Sequence, residues 1–426
     1  MEEDLLKIKK IGTIVEKRVK TRLASAIDEA ETKMKYEMAH NSDLLEALEI
    51  VSNFLKRKKR VCYGGTAMNA ILPPEKRFYN TEMDLPDYDF FTPDVDEDVE
   101  ELMRDLKKAG LPGVFSKMGI HEGTKKVLVN FTAIADITYL SPDIYDVFKK
   151  RAVVQERIHY TDPEILRMMM YLELSRPKGQ VERWEKVYER LQLINQEFPP
   201  RRRLGFTRKG GSKVRTTKLP VELRSLVFSF CIEQQRTVIV GDLDKFYEKA
   251  IKCEKAPEFD VEGHSGIIGW LTPSLKEDAK ILQGLLGGSP TCRLFLHPAK
   301  NEIVSAYVEV RYKDVPAVLL IEETACHSYL TFPVEDGRSI CIASLDTLIT
   351  LYYAIAIFTA KARQYIPNIE ATAAKLVVID EKNRVAKNPK IPAFPLICHG
   401  YQKGYPTLLR EKMERTKKEK KLLGDL

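Results

Sequence analysis

Apolar and polar positions alternate along this chain with two periods, and the switches between them mark out its elements. Residues 1–40 are charged with a weak helical repeat (Leu5, Ile8, Ile11, Val15, Val19, Leu23, Ile27), which predicts one or two outer helices. A clearer amphipathic helix follows, with Leu44, Leu48, Val51, Phe54 and Leu55 on one face and Ser42 or Asp43 as its cap. It ends in Lys56-Arg57-Lys58-Lys59-Arg60, where cations suit a helix C-terminus. A short buried strand over 60–63 then enters Gly64-Gly65, and a further helix starts near Thr66. The proline-containing stretch 72–86 reads as a loop. Residues 87–91 form a strand that Pro93 ends. Asp94 or Asp96 caps a helix through Val99, Leu102, Leu106 and Ala109, closed by Gly110 and Pro112. Strand-like pattern returns over 114–118 and 127–140. Thr161-Asp162-Pro163-Glu164 reads as a capping box, and a second helix over 181–195 lines up Trp184, Val187, Leu191 and Ile194. This mixed order predicts an α+β fold.

From about residue 221 the pattern repeats. Phe90-Phe91-Thr92-Pro93 with Leu102 matches Trp270-Leu271-Thr272-Pro273 with Leu282, offset by 180. Glu164, Leu166 and Tyr171 match Asp346, Leu348 and Tyr353, and Val238-Ile239-Val240-Gly241 stands for the strand into the glycine turn. Aligning 135–140 with 325–330 puts Cys326 where Asp136 stands, while Ile267 and Gly269 replace Asp87 and Asp89. The expected organisation is an N-terminal helical region (1–60), a catalytic domain (61–200), a basic linker (201–220), a degenerate copy of the catalytic domain (221–400) and a basic tail (401–426).

Composition narrows the class. The chain of 426 residues is 44% hydrophobic, enough for sizeable cores. Its net charge of +7 is a mild excess, so the location of the cations matters more than their number. The densest one-sign patch is Arg201, Arg202, Arg203, Arg208, Lys209, Lys213 and Arg215, with no acid before Glu222. Contact with RNA phosphates is favoured there over a plain solvated linker. Seven cysteines, none in a Cys-x-x-Cys pair, point to a reducing compartment rather than a disulfide framework or zinc site. No signal peptide follows Met1, and no apolar run reaches the ~20 residues of a membrane span.

Candidate chemistry centres on residues 63–91. Asp87 and Asp89 lie two apart on a strand and so share a face. Two adjacent carboxylates repel unless a cation or a shared proton lies between them. Asp136, a lone charge in an apolar strand, is the candidate third ligand. Gly64-Gly65-Thr66 would offer N–H groups, a helix N-terminus and a hydroxyl to phosphates. Three carboxylates beside a phosphate cradle predict a two-metal site for nucleotidyl transfer from a nucleoside triphosphate to an acceptor hydroxyl. No Gly-x-x-x-x-Gly-Lys-[Ser/Thr] loop is present, which disfavours a P-loop ATPase.

The glycine pair, Asp87-x-Asp89 and the distant Asp136 resemble the polymerase-β nucleotidyltransferase superfamily. The fuller string Tyr63-Gly64-Gly65-Thr66-Ala67-Met68-Asn69, Leu72-Pro73, Asp87-Tyr88-Asp89-Phe90-Phe91 and Ala135-Asp136-Ile137-Thr138-Tyr139-Leu140 is narrower. It resembles the polyadenylate polymerase catalytic subunits of poxviruses and large nucleocytoplasmic DNA viruses, of the giant-virus type. That resemblance implies tandem polymerase-β-like domains with the second degenerate. It also implies ATP as substrate, an RNA 3′ end as acceptor, two Mg or Mn ions, and the host cytoplasm or virion as location. The giant-virus type implies a homodimer, the poxvirus type a cap-methyltransferase partner. The sequence leaves open a nucleotidyltransferase of the tRNA-end or oligoadenylate type, and a non-catalytic RNA-binding or processivity subunit.

Overall fold

The computed structural model describes residues 2–203, 219–261, 263, 267–300, 303–359, 366 and 368–424. The chain forms two compact units, one of residues 1–139 with 154–160, the other of 140–153 with 161–426. Each contains a mixed sheet with helices packed on it, so the fold is α+β.

The first unit opens with α1 (Glu2–Ala39), a single long helix on which Val15, Val19, Leu23 and Ile27 are exposed. Next comes α2 (Ser42–Lys58), which buries Leu44, Ala47, Val51, Phe54 and Leu55. Its cap is Asn41, not Ser42 or Asp43: the Asn41 amide oxygen accepts the Leu44 N–H at 3.1 Å. After it come β1 (Val61–Tyr63), α3 (Gly64–Ile71), β2 (Tyr88–Thr92) and α4 (Val95–Lys108). Asp94 precedes α4 without capping it; Thr92 Oγ1 instead accepts the Asp94 N–H at 3.0 Å. Three strands follow, β3 (Phe115–Met118), β4 (Thr124–Val129) and β5 (Thr132–Tyr139). The expected single stretch 127–140 is thus two strands. Asn130 and Phe131, with φ of 47° and 64°, make the tight left-handed turn between them, a turn that carries no glycine to announce it.

Helix α5 (Pro142–Arg151) belongs to the second unit, and the short strands β6 (Val153–Gln155) and β7 (Ile158–Tyr160) complete the first sheet. Its strand order is β3-β4-β5-β2-β1-β7-β6. β2 and β5 are central and parallel, while β1 runs antiparallel to β2. Helices α2 and α4 pack against β4 and β5.

The second unit continues with α6 (Pro163–Leu174), α7 (Trp184–Glu197), α8 (Val221–Glu233), β8 (Thr237–Val240), α9 (Leu243–Ala250), β9 (Ile268–Thr272) and α10 (Leu275–Leu285). Then follow β10 (Cys292–His297), β11 (Tyr307–Tyr312), β12 (Val315–Glu322), β13 (His327–Pro333), β14 (Ser339–Ala343), α11 (Leu345–Phe358), α12 (Ile369–Arg384), β15 (Cys398–His399) and α13 (Tyr405–Gly424). The cap of α6 is Asp162, which accepts the Glu164 N–H at 2.8 Å, so the Thr161 capping box does not form. Glu164 is fully buried and pairs with the equally buried Arg167. Helix α11 is buried almost throughout and packs on α6 and α12. No helix among the described residues is long and apolar enough to cross a membrane.

The second sheet repeats the first. Its order, β10-β11-β12-β9-β8-β14-β13 with β15 added at the edge, maps strand for strand onto β3-β4-β5-β2-β1-β7-β6. The map corrects one sequence expectation. β5 corresponds to β12, not β13, so Cys326 does not stand for Asp136. In the first sheet Asp89 lies beside Asp136; at the matching place in the second, Gly269 lies beside Leu319. A loop between β12 and β13 in place of α5 had shifted the alignment. The expected domain boundary at residue 200 falls inside the second unit, because α5, α6 and α7 cluster there.

Candidate active site

The site lies in the first unit, where β1 ends, α3 begins and β2 starts. Sheet register brings the carboxylates together. β2 and β5 run parallel with Asp89 opposite Asp136, and Asp87 lies one residue before β2, two before Asp89. One ligand oxygen from each of Asp87, Asp89 and Asp136 lies within 4.8 Å of the other two. All three residues are half-buried. Asp136 is on an interior strand, which excludes an edge aspartate facing water.

The donor set fits a hard divalent ion. Mg²⁺ takes oxygen ligands at about 2.1 Å, so carboxylate oxygens this close together could share one ion. Oδ1 of Asp136 is buried with no hydrogen-bond partner, a costly state for a carboxylate oxygen unless an ion takes it up. Asp87, Asp89 and Asp136 are therefore the residues that could hold Mg or Mn.

The glycine turn shapes the floor of this site. Gly64 has φ +72°, and a Cβ on it would come within 2.4 Å of Asp89 Oδ2. Only glycine leaves room for that carboxylate and adopts this backbone without strain. α3 begins at Gly64 itself, so Gly64, Gly65 and Thr66 form its first turn, whose N–H groups have no partner within the helix. The Thr66 hydroxyl, expected to face a phosphate, donates to the Asp87 carbonyl at 2.5 Å. It thereby ties the loop that carries Asp87 to α3.

Residues that sequence reasoning left without a role complete the arrangement. Tyr63 stacks on Phe91, with ring centroids 3.9 Å apart, and its hydroxyl is 2.9 Å from Thr138 Oγ1. Thr138 in turn lies 3.0 Å from Thr124 Oγ1. Burial, with the negative charge of Asp89 next in weight, pushes the Tyr63 hydroxyl well above its ordinary range, so it stays a neutral partner of Thr138. Burial likewise raises the Cys62 thiol to well above its usual value, and it serves as core. Lys126, opposite Asp136 in the β4–β5 ladder, is hydrogen-bonded to Asp136 Oδ2. Its only sequence signal was a Lys125-Lys126 pair; which of the two reaches Asp136 depends on a bulge at Val127/Leu128 that no local pattern shows.

The basic segment is placed only in part. Arg201 has counter-charge, against expectation: Nη1 lies 3.4 Å from Asp162 Oδ2, and its backbone N–H donates to Glu164 Oε1 at 3.0 Å. Arg202 and Arg203 are exposed. Arg208, Lys209, Lys213 and Arg215 lie outside the described residues. Arg201, Arg202 and Arg203 belong to the second unit, the three carboxylates to the first.

Comparison with known proteins follows the same lines. Residues 49–180, which span the glycine turn and all three aspartates, match the family described as poly(A) polymerase catalytic subunit. A protein of Acanthamoeba polyphaga mimivirus described as a "Putative poly(A) polymerase catalytic subunit" is 28% identical over 193 residues, 42% of this chain and 31% of the relative. Its namesake in African swine fever virus (isolate Tick/Malawi/Lil 20-1/1983) is 28% identical over 167 residues, 38% of this chain and 35% of the relative. The chain thus spans about a third of the length of the curated relatives it matches. Among solved structures, the Megavirus polyadenylate synthase superposes with a TM-score of 0.72 at 20% identity, covering 95% of this chain and 83% of that one. The chain therefore has the fold of the Megavirus polyadenylate synthase, and its residues 49–180 match the poly(A) polymerase catalytic subunit family.

Proposed function

We propose that the first unit transfers AMP from ATP to the 3′-hydroxyl of an RNA, lengthening it without a template and releasing pyrophosphate. The observation that carries this reading is the register of β2 and β5, which sets Asp89 beside Asp136 with Asp87 in reach. The family match over the same residues supports the choice of substrates.

In this reading the RNA 3′-hydroxyl gives up its proton to solvent, its oxygen attacks the α-phosphorus in line, and the bond from that phosphorus to the bridging oxygen of the β-phosphate breaks. Pyrophosphate leaves as the electron pair settles on its oxygen. Two divalent ions, Mg or Mn, would lower the pKa of the attacking hydroxyl and neutralise the charge on the leaving group. Asp87, Asp89 and Asp136 are the residues that would hold these ions. Gly64, Gly65 and Thr66 would meet the β- and γ-phosphates through the N–H groups of the first turn of α3, where the helix dipole favours an anion. Thr66 Oγ1, committed to the Asp87 carbonyl, acts by keeping Asp87 in place. Half-buried Tyr63, with Thr138, would keep β1 and β5 aligned beside the triad.

Arg201, Arg202, Arg203, Arg208, Lys209, Lys213 and Arg215 are proposed to hold RNA phosphates. The second unit would serve as scaffold: Gly269 and Leu319 leave the positions that match Asp89 and Asp136 without carboxylates. A homodimer, or a cap-methyltransferase partner of the poxvirus kind, and action in the host cytoplasm or virion complete the proposal. The test is incubation of the purified chain with Mg²⁺, a short labelled RNA and each nucleoside triphosphate in turn. A long tail with ATP alone is expected. A fixed short addition, or equal use of CTP, would overturn the assignment of substrate.

A further inference from the structure

Lys126 is the residue of the first sheet whose position the reaction does not explain. It stands opposite Asp136, and its ammonium is hydrogen-bonded to Oδ2 of that carboxylate. The lysine side chain is 30% exposed and the aspartate 15%, so the ammonium can leave for solvent without crossing a packed core. The second sheet supplies a control. There the matching position is Glu309, opposite Leu319. The lysine therefore occurs with the carboxylates, and an acid takes its place in the sheet that lacks them.

The physical need is plain. Three carboxylates with oxygens inside 4.8 Å repel one another whenever no ion is bound. A lysine is suited to relieve this transiently: its ammonium is a compact charge on a flexible stem, whereas a guanidinium would grip the carboxylate with a rigid fork.

We propose that Lys126 is a built-in counter-cation, holding Asp136 while the site is empty of metal and opposing the divalent ion that displaces it. This inference rests on the reading of the triad as a metal site. It gives Lys126 a positioning role with a definite sign. Removing its charge strengthens metal binding, whereas a lysine that merely orients Asp136 would weaken binding when lost.

The test is a Mn²⁺ titration of the full-length chain, without nucleotide, followed by the paramagnetic resonance of free Mn²⁺. Wild type is compared with Lys126→Met, Lys126→Arg and Asp136→Asn, with circular dichroism to check the fold. Lys126→Met is expected to tighten binding on the order of tenfold, about 1.4 kcal/mol. Lys126→Arg is expected to bind more weakly than wild type. Unchanged or weaker binding in Lys126→Met overturns the inference. Should that variant not fold, Lys126→Arg decides alone, and binding as tight as wild type or tighter overturns it. Metal binding that survives intact in Asp136→Asn, or that is missing from wild type, is a different failure: it removes the metal reading itself.

Discussion

At Gly64 the space for one methyl group separates a formed site from a blocked one. An added Cβ would meet Asp89 Oδ2 at 2.4 Å, and the backbone is already at φ +72°. Gly64→Ala is expected to lose about a hundredfold in the rate of AMP incorporation, the usual cost of an ångström-scale displacement of a reacting group. Its melting temperature should fall by only a few degrees, since a left-handed alanine costs on the order of 1 kcal/mol. Near-wild-type turnover would show that Asp89 does not need its present position. The matching glycine turn and Asp pair were legible in the sequence because each is a local signal. Lys126 was not, because its contact with Asp136 is created by the register of two strands.

Among the elements, each unit is pinned by the same ion pair. Arg60, just before β1, holds Asp98 of α4 through Nε at 2.7 Å and Nη2 at 3.0 Å. Arg236, just before β8, holds Asp278 of α10 through Nε and Nη2, both at 2.9 Å. Both aspartates are buried. Removing one partner of such a pair strands the other charge, a cost of about 3–5 kcal/mol. Arg236→Met is expected to destabilise the chain by that amount in urea unfolding. Arg60→Met should cost less, about 3 kcal/mol, because Lys58 Nζ remains 3.3 Å from Asp98. No loss in either variant would contradict the shared role, and equal losses would contradict compensation by Lys58. These pairs lie at the strand ends remote from the catalytic turn. The same pin stands in both units, with and without the carboxylate triad. Sequence pattern showed Asp98 and Asp278 only as members of repeated helices; the arginines that match them fall at different offsets, 38 and 42 residues before.

Across the whole molecule, two sheets of one strand order carry opposite fates. The repeat was readable where apolar patterns recur, at residues 90–102 and 270–282, and misleading where α5 has no counterpart, so that Cys326 was aligned with Asp136 in place of Leu319. The second site is also closed by packing. A Cβ on Gly269 would lie 2.8 Å from Val240 Cγ2 and 2.9 Å from the Leu319 carbonyl, so an aspartate could not simply be restored there. We accordingly propose that catalysis belongs to the first unit and to its three clustered carboxylates. The most direct test measures incorporation of labelled AMP into RNA by wild type and by Asp89→Ala, with the fold checked by circular dichroism. The account predicts a long tail from wild type and no incorporation from a folded Asp89→Ala chain; tail synthesis by that variant at a rate near wild type would contradict it.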